Sequence, residues 1–208
     1  MPNCEKKFNY EETYMIHIVH KNIDGIWYGA VLDTEKVLAT TFAQNETEVL
    51  KNLLKSLPYE APFQVNEKLS ILSEKLLETL KRIYDGEDVS FSFEMSMNYL
   101  SSYTQKVLKC VSSVPVGYFT TYGAVAKACG GSARAVGQIM SKNPFPPLIP
   151  CHRVVRADFS VGGYGGGKEV KWEMLQREDR EYTEIKRIEI GDGILSVFPI
   201  KRLRKIRN

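Results

Sequence analysis

The chain is poor in the groups that most often build a metal or disulfide scaffold: its 208 residues include 4 cysteines and 3 histidines. The cysteines stand far apart, at positions 4, 110, 129 and 151, with no C-x-x-C spacing. Neither a disulfide framework nor a zinc ribbon is indicated, and reduced thiols are expected. No run of about eighteen apolar residues exists, and the N-terminus MPNCEKKFNYEE is charged where a signal peptide needs an apolar core. These absences argue against a membrane partner and place the chain in the cytoplasm. Internal repeats and low-complexity tracts are lacking too. GGYGGGK, residues 162–168, matches neither nucleotide-binding glycine spacing behind a strand. It reads instead as a mobile loop that lets a ligand approach its backbone. Zinc is the remaining temptation, through Cys4, His17 and His20. In a strand the odd spacing of the two histidines sends them to opposite faces, so no metal site is expected.

What is present is enough apolar content, 43%, for one large domain or two small ones. The charge is unevenly spread: residues 1–100 carry 10 Lys/Arg against 16 Asp/Glu, and the remaining 108 carry 18 against 9. A net +3 therefore hides an acidic body joined to a basic part suited to a polyanion. Five of the positive charges sit in the final KRLRKIRN, which read alone is a solvated tail.

Three short strands, YMIHIVHK, GIWYGAVLD and KVLATTF, are separated by NIDG and TE and read as an antiparallel meander. ETEVLKNLLKSL and residues 66–84 carry apolar residues at helical spacing, and DVSFSFEM alternates as a strand. Residues 1–98 are thus one α+β unit. Beyond residue 98 the chain reads as short helices broken by glycine and proline: residues 102–117, then TTYGAVAKACGG with Thr121 as N-cap, then SARAVGQIMSKNP capped by Ser132. Two short helices around a glycine turn outline a helix-turn-helix. FSVGGYGGGKEVKWEMLQRE is a glycine loop entering a helix, and residues 182–198 read as a hairpin around Gly-Asp-Gly. The fold class is α/β in the broad sense, more strictly α+β.

The chemistry concentrates in IPCHRVV, residues 149–155, otherwise patterned like a buried strand. A cysteine thiol titrates near ~8.5 and needs a base or a positive charge to become a useful nucleophile. His152 could be that base for Cys151, but neighbours on a strand face opposite ways. The pair can cooperate only if the chain turns there or a water bridges them, and Pro150 makes a break reasonable. On residue types alone, an inert packed cysteine is the competing reading.

The blocks TTYGAVA at 120–126, ARAVG at 133–137, NPFPPLIPCHR at 143–153, PCHRVV at 150–155 and GGYGGGKEVKWEMLQRE at 162–178 resemble the O6-alkylguanine-DNA alkyltransferase family, in its order and spacing. The first hundred residues resemble it in outline only. The resemblance implies a ribonuclease-H-like N-terminal domain (1–98), a mainly helical winged helix-turn-helix alkyltransferase domain (99–180) and a hairpin-and-tail extension (181–208) to which nothing carries over. It implies direct-reversal DNA repair. Cys151 takes the alkyl group from O6-alkylguanine, and from O4-alkylthymine, once and irreversibly, with no cofactor. His152 takes the thiol proton through a water, Glu178 orients His152, and Tyr122 donates a proton to the leaving guanine.

Arg134 fills the gap left by a flipped nucleotide. Ala133, Ala135 and Gly137 let the helix press into the minor groove of double-stranded DNA, with Thr121 and Tyr122 beside it. Asn143 is the hinge between the helix-turn-helix and the active-site segment, and Met140, Val154, Tyr164 and Gly165 line the base pocket. Some relatives carry serine where this chain has Gly165, so a looser loop that admits bulkier alkyl groups is expected. A monomer is expected as well. The rivals are an alkylation- or redox-sensing DNA-binding regulator, a lesion-recognition protein that does not repair, and a cysteine hydrolase. Cys151 argues against the second, and the lack of an oxyanion-hole signature argues against the third.

Overall fold

The structure is a computed structural model that describes residues 15–33, 36–57, 62–66 and 69–204. Cys4 and residues 205–208 of the basic tail lie outside the described residues. Among those described, six helices and two four-stranded mixed sheets make an α+β fold. No described helix is long and apolar enough to cross a membrane.

The expected meander is present as β1 (Ile16–Ile23), β2 (Ile26–Asp33) and β3 (Lys36–Ala43), paired antiparallel. Asp24 and Gly25 turn β1 into β2 with φ of 53° and 85°, the two left-handed residues that a tight hairpin demands. Alternation along these strands sends side chains to two faces, and each face receives a helix. Val49 and Leu53 of α1 (Glu46–Leu54) pack on Ile18, Val31 and Ala39. Leu76, Leu77 and Leu80 of α2 (Ile71–Tyr84) pack with Val19, Tyr28, Ala30 and Leu32. Gly29 lets α1 approach closely, since a Cβ there would lie 2.5 Å from Val49 Cγ1.

Two expectations need correction. The second helix starts at Ile71, capped by Ser70, not at residue 66. Residues ahead of it, Phe63–Val65, form β4, which adds parallel to β1. DVSFSFEM is not a strand: beyond one bridge, Met95 to Val37, it has no ladder. Alternation needs a neighbour to pair with, and the bridge is parallel, so the residues before Met95 run past the start of β3 at Lys36.

The second half carries more sheet than its mainly helical reading allowed. β5 (Tyr118–Thr121) pairs parallel with β6 (Val154–Val155) and antiparallel with β8 (Gly193–Pro199), and β7 (Lys186–Ile190) completes the order β6-β5-β8-β7. Four residues of β5 are too few to show a period in sequence. The C-terminal hairpin is woven into this sheet, with Leu195 and Val197 in the main core and Leu203 beyond it nearly buried. Around the sheet lie α3 (Ser102–Ser112), α4 (Tyr122–Cys129), α5 (Ala133–Ser141) and α6 (Lys168–Arg177). Thr121 and Ser132 cap α4 and α5 through their side-chain oxygens, as their residue types required. The main core runs through both halves, from Val19 and Leu80 to Val125 and Met174.

Candidate active site

IPCHRVV is not a continuous strand. Pro150 adopts φ −79°, ψ 66° and the Cys151 N–H donates to the Ile149 carbonyl at 2.8 Å, an inverse γ-turn. Cys151–Arg153 then form one 3-10 turn, closed by Arg153 N–H to the Pro150 carbonyl at 2.9 Å, before the strand resumes at Val154. The turn removes the alternation that would have sent Cys151 and His152 to opposite faces.

Cys151, 7% exposed, lies on the wall of a groove of about 1260 Å³ that also includes Tyr122, Gly137, Met140, Asn143, Tyr164 and Gly165. Val154 is fully buried, and its carbonyl accepts from the Lys171 ammonium at 2.7 Å. The Asn143 side chain and the Tyr164 hydroxyl both favour the Cys151 thiolate, and the Tyr164 hydroxyl donates to the Met174 sulfur at 3.9 Å. Asn143 also ties the segment after α5 together: its amide donates to the Ile149 carbonyl at 2.9 Å and its oxygen accepts from Phe145 N–H at 3.0 Å. Across the groove, Thr40 of β3 donates its hydroxyl to the Pro146 carbonyl at 2.9 Å, so the first half of the chain buttresses the cysteine loop.

Behind Cys151 lies a buried ionic cluster. The Arg153 guanidinium donates to both oxygens of Glu178, at 2.8 Å each, and to the Val114 carbonyl at 2.6 Å. His152 Nε2 lies 2.9 Å from Glu178 Oε1. Burial alone would raise the Glu178 carboxyl, but the His152 and Arg153 groups that face it outweigh burial and hold it at about 2. An ionised carboxylate only accepts, so Nε2 carries the proton and Nδ1 keeps its lone pair. Nδ1 is buried with no hydrogen-bond partner among the described residues. Burial also lowers the imidazole from its ordinary value, against the pull of Glu178, so His152 rests neutral. Burial raises the Cys151 thiol, opposed by Asn143 and the Lys171 charge. The resting pair is thus a thiol next to a neutral imidazole with one free acceptor, ready for proton transfer when a substrate arrives.

Three supports escaped the sequence reading. Arg153 stands next to the histidine, but nothing near it in sequence names its partner. Lys171 is almost wholly buried on α6, where its ammonium donates to Val154 and lies 3.5 Å from the Gly163 carbonyl, joining the active-site strand to the glycine loop. Burial lowers it to about 8. Its signal was its position one turn before Met174 and Leu175, on the apolar face of its helix. Thr40 had no local signal at all.

The helix-turn-helix residues form a surface that joins the groove at Gly137. Ala133 and Arg134 are exposed, Ala135 and Gly137 are half-buried, and a Cβ on Gly137 would meet nothing within 4 Å. The turn before α5 is held against α3 by the Tyr103 hydroxyl, which donates to the Gly130 carbonyl at 2.7 Å. His17 and His20 are occupied elsewhere: His17 faces Asn66 at 3.0 Å, and His20 packs by Trp27 with Glu46 3.4 Å away.

Comparison with known proteins bears on this arrangement. Residues 102–180 match the family model of the 6-O-methylguanine DNA methyltransferase DNA-binding domain. The chain is 42% identical over 106 residues to a methylated-DNA–protein-cysteine methyltransferase of Methanothermobacter thermautotrophicus, an alignment covering 50% of this chain and 60% of the relative. With the Pyrobaculum aerophilum protein of the same name, 51% identity extends over 35% of this chain and 49% of the relative. The likeness to the Thermococcus kodakarensis protein is longer, 31% identity over 76% of this chain and 92% of the relative. Among solved structures, the O6-methylguanine-DNA methyltransferase of Pyrococcus kodakaraensis superimposes with a TM-score of 0.64 at 28% identity, covering 79% of this chain and 99% of that one. A Mycobacterium tuberculosis protein solved in complex with DNA shares the fold, with a TM-score of 0.62 at 23% identity, over 78% of this chain and 92% of that one.

Proposed function

The chain belongs to the 6-O-methylguanine DNA methyltransferase family, and from that premise we propose that it is a single-use DNA-repair protein that moves an alkyl group from O6 of guanine in DNA to its own Cys151. O4-alkylthymine is a second substrate of the same kind. One observation carries the reading: a groove-lining cysteine is followed by a neutral, buried histidine whose Nε2–H is committed to Glu178, leaving Nδ1 as a base.

The duplex docks as a monomer's ligand on the exposed face of α5, in the minor groove, where the small side chains of Ala133, Ala135 and Gly137 permit close approach. The alkylated nucleotide swings into the groove at a cost of a few kcal/mol, and Arg134 takes its place in the stack. Nδ1 of His152 takes the thiol proton through a water, and the resulting imidazolium is stabilised by the Glu178 carboxylate. The Cys151 sulfur then attacks the saturated carbon. A C–S bond forms as the C–O6 bond breaks, and the Tyr122 phenol supplies a proton to the purine so that guanine leaves neutral. The thioether has no route back to thiol, so each molecule acts once.

Met140, Tyr164 and Gly165 bound the base, while Asn143 holds the cysteine loop against α5. In this reading residues 1–98 form a ribonuclease-H-like domain, 99–180 the winged helix-turn-helix alkyltransferase domain, and 181–208 an extension. An oligonucleotide carrying O6-methylguanine is the test. The Cys151 peptide should gain the mass of one methylene, once per protein molecule, and Cys151→Ala should bind without transfer. Repeated turnover, or label on Cys110 or Cys129, would overturn the proposal.

A further inference from the structure

The register of the second sheet sets Arg156 beside Tyr122. β5 and β6 run parallel with Thr120 opposite Val154 and Thr121 opposite Val155. The next residue on each strand, Tyr122 and Arg156, therefore leaves the sheet at the same level. Tyr122 contributes to the groove wall, whereas Arg156 stays exposed. The backbone of Arg156 is pinned in a tight turn: its N–H donates to the Ser160 carbonyl at 3.0 Å and its carbonyl accepts from Phe159 N–H at 3.0 Å. Its side chain runs along Gly162, where a Cβ would lie 3.3 Å from Arg156 Cγ and 3.6 Å from Nε. Gly162, at φ +74°, thus leaves space for the arginine stem next to Gly163 and Tyr164 of the groove wall.

The charge of Arg156 reaches the site. Burial raises the Tyr122 phenol and Arg156 pulls it down, while Arg156 acts with burial in lowering Lys171. Yet the charge has no protein partner: the arginine ion pairs among the described residues engage Arg82, Arg153 and Arg177, not Arg156. Asp158, the carboxylate on the same turn, is occupied by the Ser160 N–H at 3.1 Å and hydroxyl at 2.7 Å. A second cation, Arg204, is brought onto this turn by its N–H to the Phe159 carbonyl at 3.0 Å. A stem held by its backbone and by a glycine, ending in an unpaired guanidinium at the rim of a deep groove, is arranged for an anion at that rim.

On the function proposed above, a nucleotide turned into the groove keeps both of its phosphates outside. We propose that Arg156 grips a backbone phosphate of the everted nucleotide and so holds the target base in place. The site is a phosphate contact of the nucleic-acid backbone, distinct from the stack-filling Arg134 on α5.

Two substrates separate this role from its rivals: a duplex carrying O6-methylguanine, and the free base O6-benzylguanine, which has no phosphate. In Arg156→Ala the ratio of duplex rate to free-base rate should fall about tenfold, and the slope of log binding constant against log salt should shrink by about 0.9, the value of one phosphate contact. Arg156→Lys, which keeps the charge, should recover most of the slope. An equal loss on both substrates would mean that Arg156 acts through Tyr122 and would overturn the phosphate contact, as would an unchanged salt slope. The slope is read also in Cys151→Ala protein, where no transfer intervenes. Wild-type protein that transfers from neither substrate, but shows the expected slope change on mutation, would sink the transfer reading and leave the phosphate contact standing.

Discussion

Behind Cys151, three ionisable side chains are packed out of water and bonded to one another; on α5, Arg134 stands in solvent without an ion pair among the described residues. Both regions belong to one proposed reaction, yet they are stabilised by opposite means. His152, Arg153 and Glu178 were desolvated during folding and depend on each other for compensation. Arg134, exposed on α5, kept its hydration on folding and has little to lose until DNA arrives. Substitutions in the first region should register in stability, and those in the second only in function.

The largest effect is expected from Glu178→Ala. It strands a buried guanidinium and removes the acceptor of His152 Nε2–H, which should cost about 3–5 kcal/mol, read from denaturant midpoints, together with nearly all transfer. If stability barely moves, the cluster is less dry than its burial implies and the contrast with α5 weakens.

Acid should have the next largest effect, and the sign follows from the shifts. Glu178 is held at about 2, below its ordinary 4.5, so its contribution is complete above 4.5 and is lost as pH falls toward 2. His152 is held below its ordinary 6.5, so neutral histidine supports the fold above 6.5 and its protonation opposes the fold as pH falls further. Melting curves taken from pH 7 to pH 3 should therefore show stability declining throughout. Glu178→Gln should flatten the part below 4.5, and an unaltered profile in that variant would remove Glu178 as the cause.

Arg134→Ala probes the other region. Its stability should change by less than about 0.5 kcal/mol, because the side chain is exposed. Transfer from a duplex should fall roughly tenfold as the everted state loses its plug, measured by single-turnover rates. A matching loss on free O6-benzylguanine would show that Arg134 supports the fold of the site and does not act on DNA.

Gly165→Ser should have the smallest effect. Nothing lies within 4 Å of a Cβ built there and its φ is ordinary, so the fold should accept serine. A tighter loop should lower the benzyl-to-methyl rate ratio by roughly threefold. Equal ratios in the two proteins would end the idea that glycine widens the pocket.

Much of the site was legible because its parts are short and local. Thr121 and Ser132 announced two helix starts by residue type, and Pro150 announced the break that ends the strand alternation between Cys151 and His152. Arg153, Lys171 and Thr40 were not legible in the same way, since each acts on a partner outside its own element: Glu178, the Val154 carbonyl and the Pro146 carbonyl. DVSFSFEM shows the reverse failure. Its alternation is real, but it meets β3 in parallel only at that strand's first residues and finds a single bridge there.

Residue order alone determined the helices, the meander, the nucleophile and its neighbouring base, because caps, periodicity and a proline act within a few residues of themselves. Tertiary structure alone decided which nitrogen of His152 is free, that the C-terminal hairpin closes the second sheet, and that the first half braces the cysteine loop. Those outcomes depend on desolvation and on hydrogen bonds between distant segments, which exist only once the chain has folded and excluded water from between them.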